Sequence, residues 1–170
     1  MTEKGKAPKA FGLVHRRAKN EINLKSFFLR ESYVDAFSES LKLETHLQIL
    51  NLSRNQLTTN RLIKIIMHLP NTLLELNLSN NPQVTLEAYR VLGEELLEVG
   101  TCKLEKLMLE GCRINDEGAK YLAKNLEYNT SVRFLDLSRN IISDIGATEI
   151  SKMVAVNRSL AVLFLHWNKL

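Results

Sequence analysis

The chain has 170 residues, of which 45% are hydrophobic and 25% are charged. This composition excludes global disorder and fits one domain or one compact repeat array. The formal net charge is +4, but residues 1–20 contain six basic side chains against one acidic side chain. The other 150 residues contain 17 basic and 18 acidic side chains. The N-terminal segment is therefore basic, and the rest of the chain is nearly neutral.

Several classes of protein are excluded by the sequence. Two cysteines, Cys102 and Cys112, are too few for a disulfide framework, and no Cys/His spacing is typical of zinc. There is no secretory-type apolar segment, and no apolar run of about 18 residues that could span a bilayer. No phosphate-binding loop, nucleophile elbow or metalloprotease motif occurs. We therefore expect a cytoplasmic, non-enzymatic protein with no catalytic residue, no metal and no cofactor.

A repeated leucine pattern runs through most of the chain. The template is L-x-x-L-x-L-x-x-(N/C)-x-(L/I), which the first full copy fills with Leu47, Leu50, Leu52, Asn55 and Leu57. Five full copies begin 26, 31, 28 and 28 residues apart, at Leu47, Leu73, Leu104, Val132 and Leu160. The second copy departs from the pattern because Pro82 and Gln83 follow its asparagine, which predicts a bulge or a longer loop there.

Each copy combines two periodicities. The L-x-L core has period two, which predicts a strand whose leucines face a core while the residues between them face outwards. The spacing then becomes helical and predicts buried stripes. Two of these are Ala119, Leu122, Ala123 and Leu126, and Ile145, Ile150, Met153 and Val154. Ser143 and either Asn115 or Asp116 are predicted helix N-caps, and Gly118 and Gly146 should let each helix start approach its strand closely.

The asparagine or cysteine after each strand is expected to be buried. There an amide can satisfy main-chain groups that a strand ladder no longer covers. Cys112 occupies this position once, either as an inert packing residue or as a reactive thiol. Four N-x-(S/T) sequences begin at Asn51, Asn77, Asn129 and Asn157, and we attribute them to the repeat rather than to glycosylation.

Each unit therefore reads as strand, turn, helix and return. Neighbouring parallel strands lie about 4.8 Å apart, whereas packed helices need about 8–10 Å. A stack with strands on one side and helices on the other must curve, with the strands inside. The predicted fold class is an α/β solenoid, a right-handed arc with a concave parallel sheet and convex helices.

This pattern resembles the leucine-rich repeat superfamily, specifically its ribonuclease-inhibitor-like class with repeats of about 28 residues. The stretches 104–129 and 132–157 carry the pattern of that class closely, and the resemblance covers residues 19–170. The chain is also similar to cytoplasmic and ciliary repeat proteins of protists. The resemblance implies protein binding, and its nearest catalytic role is activation of a Ran-type GTPase.

We divide the chain into a basic, flexible tail at 1–18 and a repeat array at 19–170. A degenerate capping repeat occupies 19–46, with Ile22, Leu24 and Leu29 in register and Phe27 at the asparagine position. Helix 31–42 belongs to this cap. The last copy stops at Leu170, the end of a strand motif, so we expect the chain to be part of a longer array.

The candidate binding residues lie between the consensus leucines, because the consensus itself is core. These outward positions change from polar to apolar along the chain. We predict a protein-binding surface formed by Met108, Phe134, Asp136, Arg139, Val162, Phe164 and Trp167. The alternative is that the apolar members pack against a further part of the chain. Arg54, Arg139, Asp136, Glu75 and Glu110 form a mixed-charge rim, read either as solvated surface or as an electrostatic recognition element.

The predicted function is a non-enzymatic protein-interaction scaffold that holds a protein partner on its concave and C-terminal face. A regulatory or sensor arm of a larger protein and a Ran-type GTPase activator are the alternatives. Nucleic acid is not expected on the repeat array. The basic tail residues Lys4, Lys6, Lys9, Arg16 and Arg17 are either a solvated tail or an electrostatic anchor. Its candidate targets are nucleic acid, acidic lipid or an acidic polymer such as a microtubule, which would give a cytoskeletal or axonemal location.

Deleting residues 1–18 tests the anchor. If the tail binds an acidic surface, the deletion should abolish a binding that weakens steeply with added salt, because each basic side chain displaces counterions. Cosedimentation with microtubules, anionic vesicles and duplex DNA, each at two salt concentrations, measures this. Binding that is unchanged by the deletion would contradict the anchor.

Overall fold

The computed structural model describes residues 20–97 and 103–170. Strands and helices alternate in the described residues. The strands are β1 (Glu21–Asn23), β2 (Ile49–Asn51), β3 (Glu75–Asn77), β4 (Lys106–Met108), β5 (Phe134–Asp136) and β6 (Val162–Phe164). The helices are α1 (Glu31–Leu41), α2 (Thr59–Ile66), α3 (Leu86–Leu92), α4 (Asp116–Leu126) and α5 (Asp144–Val156), and a π-helical turn (Gly93–Leu97) extends α3. The tail residues 1–18 and Cys102 lie outside the described residues.

The strands form one parallel sheet in chain order, and consecutive helices pack side by side along it. The predicted α/β leucine-repeat solenoid is confirmed. Period two explains each strand, because the central residue is buried in β1 to β5 while its two neighbours are more exposed. In β6 the central Leu163 is only half-buried and Val162 and Phe164 are exposed. In the described ranges, no helix is long and apolar enough to cross a membrane.

The chain turns sharply at the same point in every unit. The residue just before the asparagine or cysteine position has a left-handed backbone, with φ between 54° and 65°. These residues are Ser26, Arg54, Asn80, Gly111, Arg139 and Trp167. A left-handed conformation costs a non-glycine residue about 1–2 kcal/mol, so the surrounding structure must impose it.

Buried asparagine side chains stabilise this turn in four of the units by joining it to a neighbouring unit. The amide of Asn140 donates to the carbonyls of Leu109 and Leu137 at 2.9 Å each, one in the preceding unit and one in its own. Its carbonyl oxygen accepts from the backbone N–H groups of Cys112 at 2.9 Å and Ile114 at 3.0 Å. Asn81 makes the equivalent bonds to the turn that contains Asn55. Each unit therefore satisfies buried backbone groups of the unit before it.

Cys112 is the exception to this series of asparagines, and it faces the turn that contains Pro82. Asn81 and Asn140 each bond backbone groups as donor and as acceptor, whereas a thiol at this position replaces the amide of Cys112's unit. Cys112 is 1% exposed and its thiol donates to the carbonyl of Leu78 at 3.3 Å, which bears out its burial.

A second set of asparagines lies at the return from helix to strand. Asn129 donates to the carbonyl of Leu97 at 2.9 Å, and Asn157 donates to that of Leu126 at 2.6 Å. Their side-chain oxygens accept backbone N–H groups two and three residues further on. Both begin N-x-(S/T) sequences, so a structural role in the repeat explains these two sequences.

The extra length of the second full unit is spread over three places. Its strand-to-strand spacing is 31 residues, against 28 in the two steps that follow. The turn after Asn81 holds one extra residue, the helix absorbs another through its π-helical turn, and the return to β4 holds the third. The prediction of a longer loop at Pro82 and Gln83 is therefore only partly right.

Two stripe residues predicted to be buried are exposed. Ile145 is 72% exposed and Val154 is 47% exposed, whereas Ile150 and Met153 are buried as expected. Val154 occupies the repeat position of the buried Leu126, and that position needs a helix on both sides. In the described structure α5 packs on α4 alone.

Helix starts are tied to the preceding unit. Ser143 and Asn115 are the N-caps of α5 and α4, as the sequence predicts, and Asp116 instead caps α5 from the unit before it. The carboxylate of Asp116 accepts the Ser143 hydroxyl and backbone N–H at 2.7 Å each and the Gly146 N–H at 3.0 Å. A Cβ at Gly146 would lie 2.6 Å from this carboxylate and 2.7 Å from the Ile142 side chain. Position 146 therefore needs glycine because the start of α5 lies close to its own turn, at Ile142, and to the preceding helix, at Asp116.

Replacing Asn140 with alanine should destabilise the whole array. The change leaves the N–H groups of Cys112 and Ile114 and the carbonyl of Leu109 without their side-chain partner, so we expect a loss of roughly 2–4 kcal/mol in the free energy of unfolding. Urea denaturation measures this. Asn60→Ala on the exposed face of α2 is the control and should change stability by less than about 0.5 kcal/mol. Equal effects of the two variants would contradict the ladder.

The Asp116 cap should make stability depend on acid pH. Hydrogen bonds from the Ser143 side chain and backbone, and then from Gly146, lower the pKa of Asp116 below its ordinary value. A lowered folded pKa stabilises the native state above the unfolded pKa of about 3.9 and loses this effect as pH falls through the folded value. Asp116→Ala should cost about 1 kcal/mol at pH 7, and the difference from wild type should shrink below pH of about 4.

Urea denaturation at pH 7, 5 and 3 measures the Asp116 effect. Asp144→Ala removes a carboxylate from the first turn of the same helix without removing this cap, and it serves as the control. A difference between Asp116→Ala and wild type that stays constant with pH would contradict a charged cap.

Candidate protein-binding surface

The strand register brings the predicted surface residues into two short rows. Phe134 of β5 pairs with Lys106 of β4 on one side and with Val162 of β6 on the other. Asp136 pairs in the same way with Met108 and Phe164. Residues that are 28 apart in sequence thus become lateral neighbours on the exposed face of the sheet.

Two aromatic rings form the centre of this surface. The rings of Phe134 and Phe164 lie 5.4 Å apart at 81°, an edge-to-face arrangement, and the ring of His166 lies 5.7 Å from that of Phe164. Phe164 is 41% exposed and Val162 is 39% exposed. We call Phe134, Val162 and Phe164 the aromatic patch. Met108 is half-buried and is separated from Phe164 within its row by Asp136, so it lies at the edge of the patch.

Asp136 has a structural role that its position in the pattern does not reveal. One of its carboxylate oxygens accepts the backbone N–H of Ser138 at 2.9 Å and the hydroxyl of the same residue at 2.5 Å. Asn51 and Asn77 hold the buried serines two residues on in the same way, at 3.0 Å to each backbone N–H. These side chains close the strand end as Asx turns, so only the second oxygen of Asp136 is free of a hydrogen bond in the described structure.

Arg139 and Trp167 lie beyond the strand ends, both at the left-handed turn position. The guanidinium carbon of Arg139 lies 5.7 Å from the centre of the Trp167 ring, which is a cation–π contact. The Nε of Arg139 lies 3.0 Å from a carboxylate oxygen of Glu110. Trp167 is 72% exposed, so a bulky aromatic residue stands in solvent beside the aromatic patch.

The preceding part of the sheet is mostly polar, with the half-buried Ile49 of β2 as an apolar exception. Lys106 and Glu75 are register partners, and their charged groups lie 2.6 Å apart. Asn23, Asn51 and Asn77 occupy the row that Phe164 ends. The predicted change from polar to apolar along the sheet is therefore visible in the exposed side chains.

Chemistry at Cys112 is not favoured. Burial, the larger influence, raises the pKa of its thiol to about 11, so the thiol is protonated at neutral pH and a poor nucleophile. In the described ranges, no group of three or more His, Cys, Asp or Glu residues could hold a metal ion.

The family model described as "Leucine Rich repeat" matches residues 44–60, 101–123 and 128–151. NACHT, LRR and PYD domains-containing protein 14 from Homo sapiens is 31% identical over 142 residues, covering 82% of this chain and 13% of that protein. Ribonuclease inhibitor from Sus scrofa is 32% identical over 109 residues, covering 63% and 24%. The chain belongs to the leucine-rich repeat family. These relatives support the ribonuclease-inhibitor-like class, and the similarity to ciliary proteins stays a prediction.

This leucine-rich repeat chain is also similar to a chicken protein and to one solved structure. Leucine-rich repeat-containing protein 45 from Gallus gallus is 32% identical over 87 residues, covering 51% of this chain and 13% of that protein. A solved structure of Leiomodin-1 Actin-Binding Site 2 (ABS2) matches with a TM-score of 0.49 and 18% identity, covering 86% of this chain and 70% of that one. The chain spans between about an eighth and a quarter of the length of the curated relatives it matches.

Proposed function

We propose that this leucine-rich repeat chain is a protein-interaction scaffold whose partner binds the aromatic patch and the adjoining Arg139 and Trp167. Leucine-rich repeat proteins generally mediate protein–protein interaction. The observation that supports this particular surface is the edge-to-face pair of Phe134 and Phe164, exposed on the sheet beside an exposed tryptophan. Aromatic side chains on a rigid strand bury large apolar areas on binding at a low cost in conformational entropy.

The sheet makes this surface well ordered before any partner binds. Each ring stands on a strand that is hydrogen-bonded to a neighbouring strand, and the turn after each strand is held by Asn140 or Asn168. A surface that is already ordered loses little entropy on association. The same proposal includes two roles for the basic residues at 1–18, which lie outside the described residues. They form either a solvated tail or an anchor to an acidic surface such as a microtubule. The anchor would associate the chain with a cytoskeleton or a cilium.

The double substitution Phe134→Ser with Phe164→Ser tests the proposed surface. Both side chains project from the exposed face of the sheet and not into the core. The fold should therefore persist, while partner capture falls by about tenfold or more. Quantitative mass spectrometry of proteins captured by the immobilised full chain measures the loss, and thermal denaturation checks folding.

The matched control is Phe28→Ser with Leu43→Ser. These residues are 59% and 81% exposed and belong to the first unit, at the other end of the sheet. The control should retain every partner that the wild type captures. A folded Phe134/Phe164 variant that captures the same proteins as this control would place the binding site elsewhere.

A further inference from the structure

The guanidinium of Arg139 is held in place on two sides. Its Nε faces Glu110 at 3.0 Å, and its carbon centre lies over the Trp167 ring at 5.7 Å. The side chain is nevertheless 59% exposed. Because Arg139 and Trp167 share the left-handed turn position of consecutive units, the sheet register fixes how these two side chains meet.

The two terminal nitrogens of Arg139 remain available. No hydrogen bond of either nitrogen is found within the part of the chain that the structure describes. Lys106 differs, because its ammonium already lies 2.6 Å from Glu75 and donates to it. Arg139 is therefore the cation beside the aromatic patch whose planar donor pair is both oriented and uncommitted. Such a pair matches the two oxygens of a carboxylate.

We propose that Arg139 receives a carboxylate of the protein partner, and that an apolar side chain next to this carboxylate docks on the aromatic patch. The inference rests on the proposed function and adds the chemistry of the partner: an acidic group beside an aromatic or aliphatic group. Trp167 contributes a cation–π contact, because its ring centre lies 5.7 Å from the guanidinium carbon. Glu110 orients Arg139 but repels the incoming carboxylate, so its charge weakens the site.

Asp136 offers the competing chemistry. Its second carboxylate oxygen lies in the row between Met108 and Phe164 and could attract a basic side chain instead. Asp136, however, is half-buried and its other oxygen is bonded to Ser138, whereas Arg139 presents two donors to solvent. The exposed donors favour the acidic partner, and a basic partner is an outcome that the experiment can detect.

Trp167 is the only tryptophan of the chain, so its fluorescence reports directly on this site. Three small probes are titrated against the full chain: N-acetyl-phenylalanine, its uncharged amide, and N-acetyl-lysinamide. We expect the carboxylate probe to change the Trp167 emission at concentrations about three- to fivefold lower than the amide does, as for one exposed charge pair. The lysine probe should have the weakest effect.

Three variants separate the contributions. Arg139→Gln should make the carboxylate and amide probes equal, and Arg139→Lys should keep only part of the preference because lysine cannot form the two-pronged contact. Glu110→Gln should increase the preference for the carboxylate probe. Phe164→Ser should weaken both probes alike. Circular dichroism confirms that each variant is folded.

Equal binding of the acid and the amide to the wild type would overturn the carboxylate proposal and leave the aromatic patch as a docking surface. Tighter binding of the lysine probe, lost in Asp136→Asn, would overturn it in favour of a basic partner. If no probe changes the emission, the carboxylate proposal also fails, and capture with the Phe134/Phe164 variant then decides the proposed function independently.

Discussion

The fold depends on hydrogen bonds that pass from one unit to the turn of the unit before it. A strand of three residues is too short to satisfy the backbone where the chain leaves the sheet, and that backbone is buried. Asn140 bonds five of these groups at once, three carbonyls as donor and two N–H groups as acceptor. Burial of the leucines supplies the general driving force, and the asparagines stabilise the turns that follow the strands. A single unit has neither feature, so the stability of each unit depends on its contacts with a neighbouring unit.

The same constraint produces the candidate site. Because each turn is fixed in the same conformation, residues at equivalent positions form straight rows across the sheet. A change of residue type along a row then becomes a change of surface chemistry along the molecule. Phe134, Val162 and Phe164 meet because the register is unbroken, and Arg139 meets Trp167 for the same reason. The candidate surface is thus a consequence of repetition, and its chemistry is set by the residues that the consensus leaves open.

The leucine template was sufficient to predict the strands, the helices, the buried face and the order of the sheet, since a period of 28 residues leaves little freedom. It also predicted the burial of Cys112 and the N-cap at Ser143. It could not predict the exposure of Val154, because burial at that position depends on a neighbouring helix rather than on the helix itself. Ile145 aligns with the exposed Glu117 of α4, so the repeat register, rather than the helical spacing alone, was the signal for its exposure. The role of Asp136 was missed although Asn51, Asn77 and Asp136 share one position and each precedes a serine by two residues. The N-x-(S/T) sequences marked Asn129 and Asn157 as a repeated position. They did not indicate which backbone groups these two side chains bond.

The turn at Pro82 changes the chemistry of the link between two units. Side-chain amides link the turns on either side of it, through Asn81 to the unit before and through Asn140 and Asn168 in the units after. Across the step from Leu78 to Cys112 a thiol takes the place of the amide, and the Tyr89 hydroxyl donates to the Cys112 carbonyl at 3.0 Å. The strand ladder and the bond from the Asn80 N–H to the Glu110 carbonyl continue across the same step. The array thus accepts a different side-chain chemistry at one joint, because the buried backbone groups there still find partners.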